Sequence, residues 1–192
     1  NVSKTRILAL LNIESLGMVE YTRDNQKWPE LITGQDNLFI NVDVTCEVVN
    51  QNKGIVVGLK WAHHGLEGLA LARKAADEVG CLVMAENHHQ PDCLKYLRKG
   101  DLITHLYHGI RMEQHDGLLD ADGRIQPEFF EAKKRGVVFD LGHGAGSFTW
   151  EVAENGLSQG IKPDTLGTDL HVRNLNGPVF NLPTTMSKLL ML

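Results

Sequence analysis

Four places in this 192-residue chain end an apolar, strand-like run in a side chain able to bind a metal. They are Lys60 after Gly54-Ile55-Val56-Val57-Gly58-Leu59, Glu86 after Cys81–Ala85, His105 within Leu102–Tyr107, and Asp169 within Thr165–Leu170. Metal catalysis needs this layout: several ligands from separate rigid elements, converging with one coordination position open. If the runs are parallel strands of one barrel, all four side chains project at the same rim. A fifth stretch is Val137-Val138-Phe139-Asp140-Leu141-Gly142-His143-Gly144-Ala145-Gly146-Ser147-Phe148. Here a strand-like run ends in Asp, a glycine-rich turn holds His143, and Ser147 opens a helical pattern. The glycines let the backbone turn tightly and bring His143 close to a ligand. His171 lies two residues after Asp169, on the same face if the strand continues, within reach of substrate or of the groups that orient the ligands. Each residue also has a plainer reading. A Lys after an apolar strand can be a solvated end, a His in such a strand a satisfied core residue, an Asp before a helix its cap.

Stepping outward, six strands are expected, near residues 6–13, 55–60, 81–86, 101–106, 137–141 and 165–170. The first two are near-continuous apolar runs, the pattern of parallel strands buried on both faces. Helical patterns alternate with them. One or two fall between Trp28 and Asn50, and Leu66–Val79 is amphipathic and stopped by Gly80. A short helix runs from Pro91 to about Lys99, and another opens at Gln126-Pro127 and ends at Gly136. The last two are Phe148 to about Ser158 and a start at Thr184–Leu190. Arg111 to Ile125 reads as a polar loop, long enough for a lid. The alternation predicts parallel βα units, either an incomplete (β/α)₈ barrel or an open doubly wound sheet. With no repeat and no low-complexity linker, residues 1–192 read as a single domain.

Composition narrows the function classes. Apolar content of 42% and charged content of 22% are ordinary for a soluble globular protein, and a net charge of -5 gives no reason to expect nucleic acid or an anionic membrane as partner. Cys46, Cys81 and Cys93 form no C-x-x-C pair, which predicts free thiols in a reducing, cytoplasmic setting, with Cys81 a core residue. No uninterrupted apolar stretch reaches the length of a membrane span. Asn1-Val2-Ser3-Lys4 is neither a signal peptide nor an initiator, so the chain reads as a segment of something longer. Open apolar strand edges then predict a homo-oligomer or self-association.

Several of these motifs, in this order, resemble the amidohydrolase superfamily, and within it the deacetylase branch related to dihydroorotases and D-aminoacylases. They are Asn12-Ile13, Gly58-Leu59-Lys60, Gly100-Asp101-Leu102-Ile103-Thr104-His105 with Gly109, Phe139–Phe148, Thr168-Asp169-Leu170-His171 and Thr185-Met186-Ser187-Lys188. The resemblance implies a (β/α)₈ barrel, here roughly strands 3 to 8, with one or two divalent metals, often zinc, at the carboxyl rim. Lys60 matches the lysine that reacts with carbon dioxide; as N6-carboxylysine it would bridge two metals, which an ammonium with no lone pair cannot do. His105 matches a histidine ligand, and Asp169 the aspartate that binds metal and acts as general base. His143 and Gly144 would hold the substrate, with backbone N–H groups for a carbonyl or carboxylate. The substrate class implied is a small-molecule amide or cyclic amide, such as an N-acyl amino acid.

Two departures matter. The family's first strand carries His-x-His, and this chain has only the adjacent pairs His63-His64 and His88-His89, whose members point to opposite faces of a strand. The fifth-strand histidine position is Glu86, a carboxylate that can still bind zinc and favours harder metals. His88, two residues on, is the alternative ligand. The rival function is therefore a catalytically incomplete, amidohydrolase-like barrel that binds or assembles. An open nucleotide-binding sheet fits worse, because Gly142-His143-Gly144-Ala145-Gly146-Ser147 lacks the G-x-G-x-x-G spacing.

Overall fold

The computed structural model describes residues 4–14, 40–62, 65–86, 91–109 and 117–192. The chain forms two compact units, Asn1–Ala85 and Glu86–Leu192. In the first unit the elements are β1 (Ala9–Asn12), α1 (Val42–Gln51), β2 (Val56–Trp61), α2 (Leu66–Val79) and β3 (Leu82–Glu86), whose last residue opens the second unit. β1 pairs in parallel with β2, and β2 with β3, in a register that aligns Asn12, Lys60 and Met84. Close approach of these strands depends on Gly58: a Cβ there would stand 2.7 Å from the Leu82 carbonyl oxygen. Leu59, Trp61, Val83 and Ala85 are buried in β2 and β3. Against them α2 buries Leu69, Ala72, Ala75 and Ala76. Burying one Leu of this kind contributes about 2 kcal/mol. The helix ends as its sequence dictates, with Gly80 in the left-handed region at φ 72° and its N–H donated to the Ala76 carbonyl. α1 is started by the Asn41 side chain, which accepts from the Val44 N–H.

The second unit continues with a 3₁₀ helix at Asp92–Tyr96, then β4 (Leu102–Thr104), α3 (Pro127–Arg135), β5 (Val138–Phe139), α4 (Trp150–Ser158) and α5 (Leu182–Leu189). β4 and β5 pair in parallel, Leu102 with Val138 and Ile103 with Phe139. Pro127 sits in the first turn of α3, where its missing N–H costs nothing, and Gly136 at φ 89° closes the helix. Phe129 meets Phe139 edge to face at 6.1 Å, so α3 is fastened over β5. Ile103, Leu106, Tyr107, Leu118, Val152 and Ala153 add to the buried core of this unit. Burial raises the Tyr107 phenol, whose O–H is satisfied by the Ile161 carbonyl at 3.0 Å.

The expected α/β class with parallel strands is what these units contain, and several details differ. The sixth strand, at 165–170, is a single parallel bridge between Asp140 and Thr165, because Asp169 takes a left-handed backbone that no strand accommodates. The helix expected from Pro91 is one 3₁₀ turn. Cys81 is half-buried and precedes its strand; all three cysteines are free thiols. Trp28, His63, His64, His88, His89 and residues 111–116 of the Arg111 loop lie outside the described residues. Among the described residues no helix is long and apolar enough to cross a membrane.

Candidate active site

The second unit's site is assembled by Asp140, the residue that follows β5. Its carboxylate is buried and accepts two hydroxyls: Thr104 Oγ1, at the end of β4, donates to Oδ2 at 2.7 Å, and Thr165 Oγ1 donates to Oδ1 at 2.8 Å. The backbone repeats the same connection. Asp140 N–H donates to the Ile103 carbonyl, Leu106 N–H to the Asp140 carbonyl, and Leu141 N–H to the Thr165 carbonyl. Three chain segments are thus held together by charge-assisted and ladder bonds, and each carries a candidate residue at its exit.

His105 leaves β4 with φ 62°, in the left-handed region that a non-glycine residue adopts at a cost of about 1–3 kcal/mol. Such strain persists where surroundings enforce it. Here the enforcing contact is Nδ1, 2.6 Å from the Gly142 carbonyl oxygen. A carbonyl only accepts, so Nδ1 carries a proton, and in the neutral ring Nε2 presents a lone pair. Nε2 lies 3.6 Å from Glu86 Oε1, and both side chains are almost wholly buried. Two donors bound at about 2.0–2.1 Å to a tetrahedral zinc are roughly 3.4 Å apart. An imidazole nitrogen and a carboxylate oxygen at this separation, with the imidazole oriented by a carbonyl on its other nitrogen, are suited to a divalent ion. Gly142 is indispensable to the arrangement: φ is 47°, and a Cβ would stand 2.1 Å from Thr104 Oγ1 and 2.8 Å from His105 Nδ1.

Asp169 is the second strained candidate, at φ 49°. Its Oδ2 sits 2.8 Å from where a Gly144 Cβ would be, so the glycine turn leaves just enough room for the carboxylate. The conformation is held by Asn174, which is fully buried. The Asn174 Nδ2 donates to the Asp169 carbonyl at 2.8 Å, and its Oδ1 accepts from the His171 N–H at 2.8 Å. His171 is exposed, and its Nδ1 accepts from the Arg173 N–H at 3.2 Å within the same turn. The expected shared strand face of Asp169 and His171 is therefore replaced by a turn.

His143 is buried in the glycine turn, stacked on Phe148 at 4.7 Å, with Phe148 in turn edge-on to the exposed Trp150 at 5.2 Å. Its Nδ1 donates to the Gly144 carbonyl at 2.9 Å, and its Nε2 accepts from Lys188 Nζ at 2.9 Å. Burial pushes the imidazole below its usual value; the Gly144 bond opposes this and the Lys188 charge adds to it. His143 is thus a neutral ring with both nitrogens engaged. The backbone N–H groups of His143 and Gly144 are also engaged, donating to the Gly167 and Thr168 carbonyls. The expectation that these two amides await a ligand is corrected by those bonds.

Of the residues singled out by sequence, the structure brings together Glu86 with His105, and Gly144 with Asp169's carboxylate. Lys60 lies half-buried in β2 of the first unit. Among the described residues no group of three His, Cys, Asp or Glu side chains lies together as a ready metal site. Three residues were overlooked: Asp140, Asn174 and Lys188. Asp140 was visible as the polar end of an apolar strand, and Lys188 closed one of the family motifs. Nothing local marked Asn174.

No family model matches the chain. Curated relatives do. The chain is 31% identical to a deacetylase of Enterococcus faecalis, with 97% of this chain aligned to 51% of that protein. It is 34% identical to a deacetylase of Agrobacterium fabrum, with 98% aligned to 46%. Among solved structures, an adenine deaminase superposes with a TM-score of 0.81 at 30% identity, covering 98% of this chain and 51% of that one. A dihydroorotase superposes at 0.78 and 32% identity, covering 98% and 49%. The chain therefore spans about half the length of the relatives it matches, and its α/β fold is that of an incomplete TIM-type barrel. In both sequence and fold the chain is similar to members of the amidohydrolase superfamily, as the resemblance of its motifs implied.

Proposed function

We propose that this chain is the middle of a metal-dependent hydrolase of amide or cyclic amide C–N bonds, of the N-acyl amino acid deacetylase or dihydroorotase kind. The observation that carries the reading is the buried Glu86–His105 pair, with His105 Nε2 aimed at Glu86 Oε1 and Nδ1 tied to Gly142. These two side chains would hold the ion, joined by Asp169. Lys60, as N6-carboxylysine, keeps the ligand role that the resemblance assigns to it. When bound, a divalent ion such as zinc supplies a Lewis acid for the carbonyl and lowers the pKa of the water.

The chain's own residues do the rest. Asp169 takes one proton from the attacking water as its oxygen bonds to the carbonyl carbon. The same carboxyl then returns that proton to the nitrogen as the C–N bond breaks. The left-handed backbone of Asp169, held by Asn174, fixes the direction of that carboxylate. Gly144, whose Cβ would stand 2.8 Å from Asp169 Oδ2, leaves the space that this carboxylate occupies. His171, exposed in the following turn, is assigned to substrate contact, and the protein to the cytoplasm as a self-associating assembly.

The test uses the full-length protein with Asp169→Asn, His105→Ala and Glu86→Gln. Hydrolysis of N-acetyl amino acids should fall by about 10²–10⁴-fold in Asp169→Asn. His105→Ala and Glu86→Gln should lower bound metal measured by elemental analysis, with circular dichroism unchanged. Wild-type turnover in any of the three would sink the reading. Glu86 and the absent His-x-His motivate the rival, a binding barrel; full metal occupancy without hydrolysis of any amide would favour it.

A further inference from the structure

We infer that Lys188 and His143 form a nucleophile–base pair, and that the Lys188 amine is a site of covalent modification by activated acyl groups. The inference stands apart from the hydrolase reading and uses neither the candidate metal ligands nor Asp169. It starts from two side chains to which that reaction gives no step. Lys188, in the last turn of α5, has Nζ 2.9 Å from His143 Nε2 and 2.6 Å from the Pro178 carbonyl oxygen. His143 is oriented in its turn: Nδ1 donates to the Gly144 carbonyl at 2.9 Å, and the ring stacks on Phe148 at 4.7 Å. A nucleophile within hydrogen-bond reach of a base, with the base fixed by a third group, is the arrangement that activates a side chain for covalent chemistry.

The partners suit the neutral amine. An ammonium brings three N–H donors and no lone pair, whereas a neutral amine brings two donors and one lone pair. Two acceptors are supplied here, and both are uncharged. Among the described residues Lys188 pairs with no carboxylate, whereas Lys95 has Asp92 and Lys133 has Asp164. Burial holds the Lys188 amine below its usual range, while the bond to Asp92 holds that of Lys95 above it. Lys188 is nonetheless half-exposed, so a reagent can reach it.

The step balances. The Nζ lone pair attacks the carbonyl carbon of a thioester or an acyl phosphate, and a C–N bond forms. The C–S or C–O bond breaks, and its electron pair leaves with the thiolate or the phosphate. The proton that the nitrogen sheds already lies in the hydrogen bond to His143 Nε2, which takes it as general base. The imidazolium then gives it to water. The single N–H of the new amide stays on the Pro178 carbonyl. The product can neither carry the Lys188 charge nor donate to His143.

The experiment treats the full-length protein at neutral pH with acetyl phosphate, or with the acetyl thioester of N-acetylcysteamine, and follows each lysine by peptide mass spectrometry. Lys188 should be acetylated about tenfold or more faster than Lys95, whose side chain is 69% exposed but bound to Asp92. That comparison is made within the wild type and needs no variant. His143→Gln still accepts a hydrogen bond but is no base. It should slow Lys188 by about 10²-fold and leave Lys95 unchanged, with the fold checked by circular dichroism. In the wild type, the ¹⁵N resonance of His143 Nε2 should shift as Lys188 is acetylated. If the variant unfolds, the wild-type ratio and that resonance decide. Reaction with one reagent alone supports the proposal and names the donor. Lys188 labelled no faster than Lys95 by either reagent, an unmoved His143 resonance, or an unchanged rate in folded His143→Gln would each overturn it.

Discussion

The two candidate-bearing regions of this chain are built by opposite means. In the first unit Lys60 belongs to a regular ladder, aligned between Asn12 and Met84 and flanked along its strand by buried Leu59 and Trp61. In the second unit His105 and Asp169 stand where strands fail, both at positive φ, pinned by Gly142, Asp140 and Asn174. A residue inside a ladder is positioned by its strand at no extra cost. One aimed away from a ladder needs side-chain clamps, and the clamps store strain of about 1–3 kcal/mol per residue. The comparison teaches that position along a strand can be inherited, whereas direction at a strand end has to be constructed.

The largest test of that contrast compares two glycines. Gly142→Ala adds a Cβ 2.1 Å from Thr104 Oγ1 at φ 47° and should cost about 4 kcal/mol in chemical denaturation. Gly54→Ala in the first unit meets nothing within 4 Å, and its φ of 96° alone should cost about 1 kcal/mol. Similar losses at the two sites would remove the distinction. Next in size, Leu59→Ala should destabilise by about 3 kcal/mol through lost burial in the ladder, leaving the His105 imidazole resonances of the second unit unchanged.

These cases show how much the sequence disclosed. Leu66–Val79 with its Gly80 stop was legible to the residue, since apolar spacing and a left-handed glycine are local signals. So was the alternation of strands and helices, which left a barrel or an open sheet; the resemblance of the motifs pointed to the barrel. The sixth strand misread because Thr165–Leu170 has strand composition, while Asp169's backbone is set by Asn174, whose own contacts are made only after folding. Glu86 and His105 were each legible as polar strand ends, and the structure sets them 3.6 Å apart. The Lys188–His143 bond joins residues 45 apart and left no trace in spacing.

A smaller effect should come from the clamp itself. Asp140→Asn leaves one of the two threonine hydroxyls facing an amide group, and should cost about 2 kcal/mol. If the clamp aims His105, the same variant should also weaken metal affinity about tenfold or more; a stability loss with unchanged affinity would reduce Asp140 to packing. The smallest effect concerns pH. Burial pulls the Asp164 carboxyl up, but hydrogen bonds from Lys133 and the Phe139 N–H outweigh it and hold the group below its usual range. A depressed carboxylate stabilises the fold above its unfolded pKa of about 3.9 and loses that contribution as pH falls through the folded value. Melting temperature should drop in acid more steeply in the wild type than in Asp164→Asn; parallel curves would show that β5 draws nothing from this carboxylate.

The ring stack from His143 through Phe148 to Trp150 has an optical consequence. Trp150 is exposed, while the imidazole two rings inward is buried. Indole emission is sensitive to small changes in neighbouring dipoles, and Trp61, buried in the first unit, offers a reference signal in the same chain. The turn that holds His143 thus carries its own fluorophore. Changes in the surroundings of His143 can be followed by intensity and wavelength in a cuvette, with no label attached.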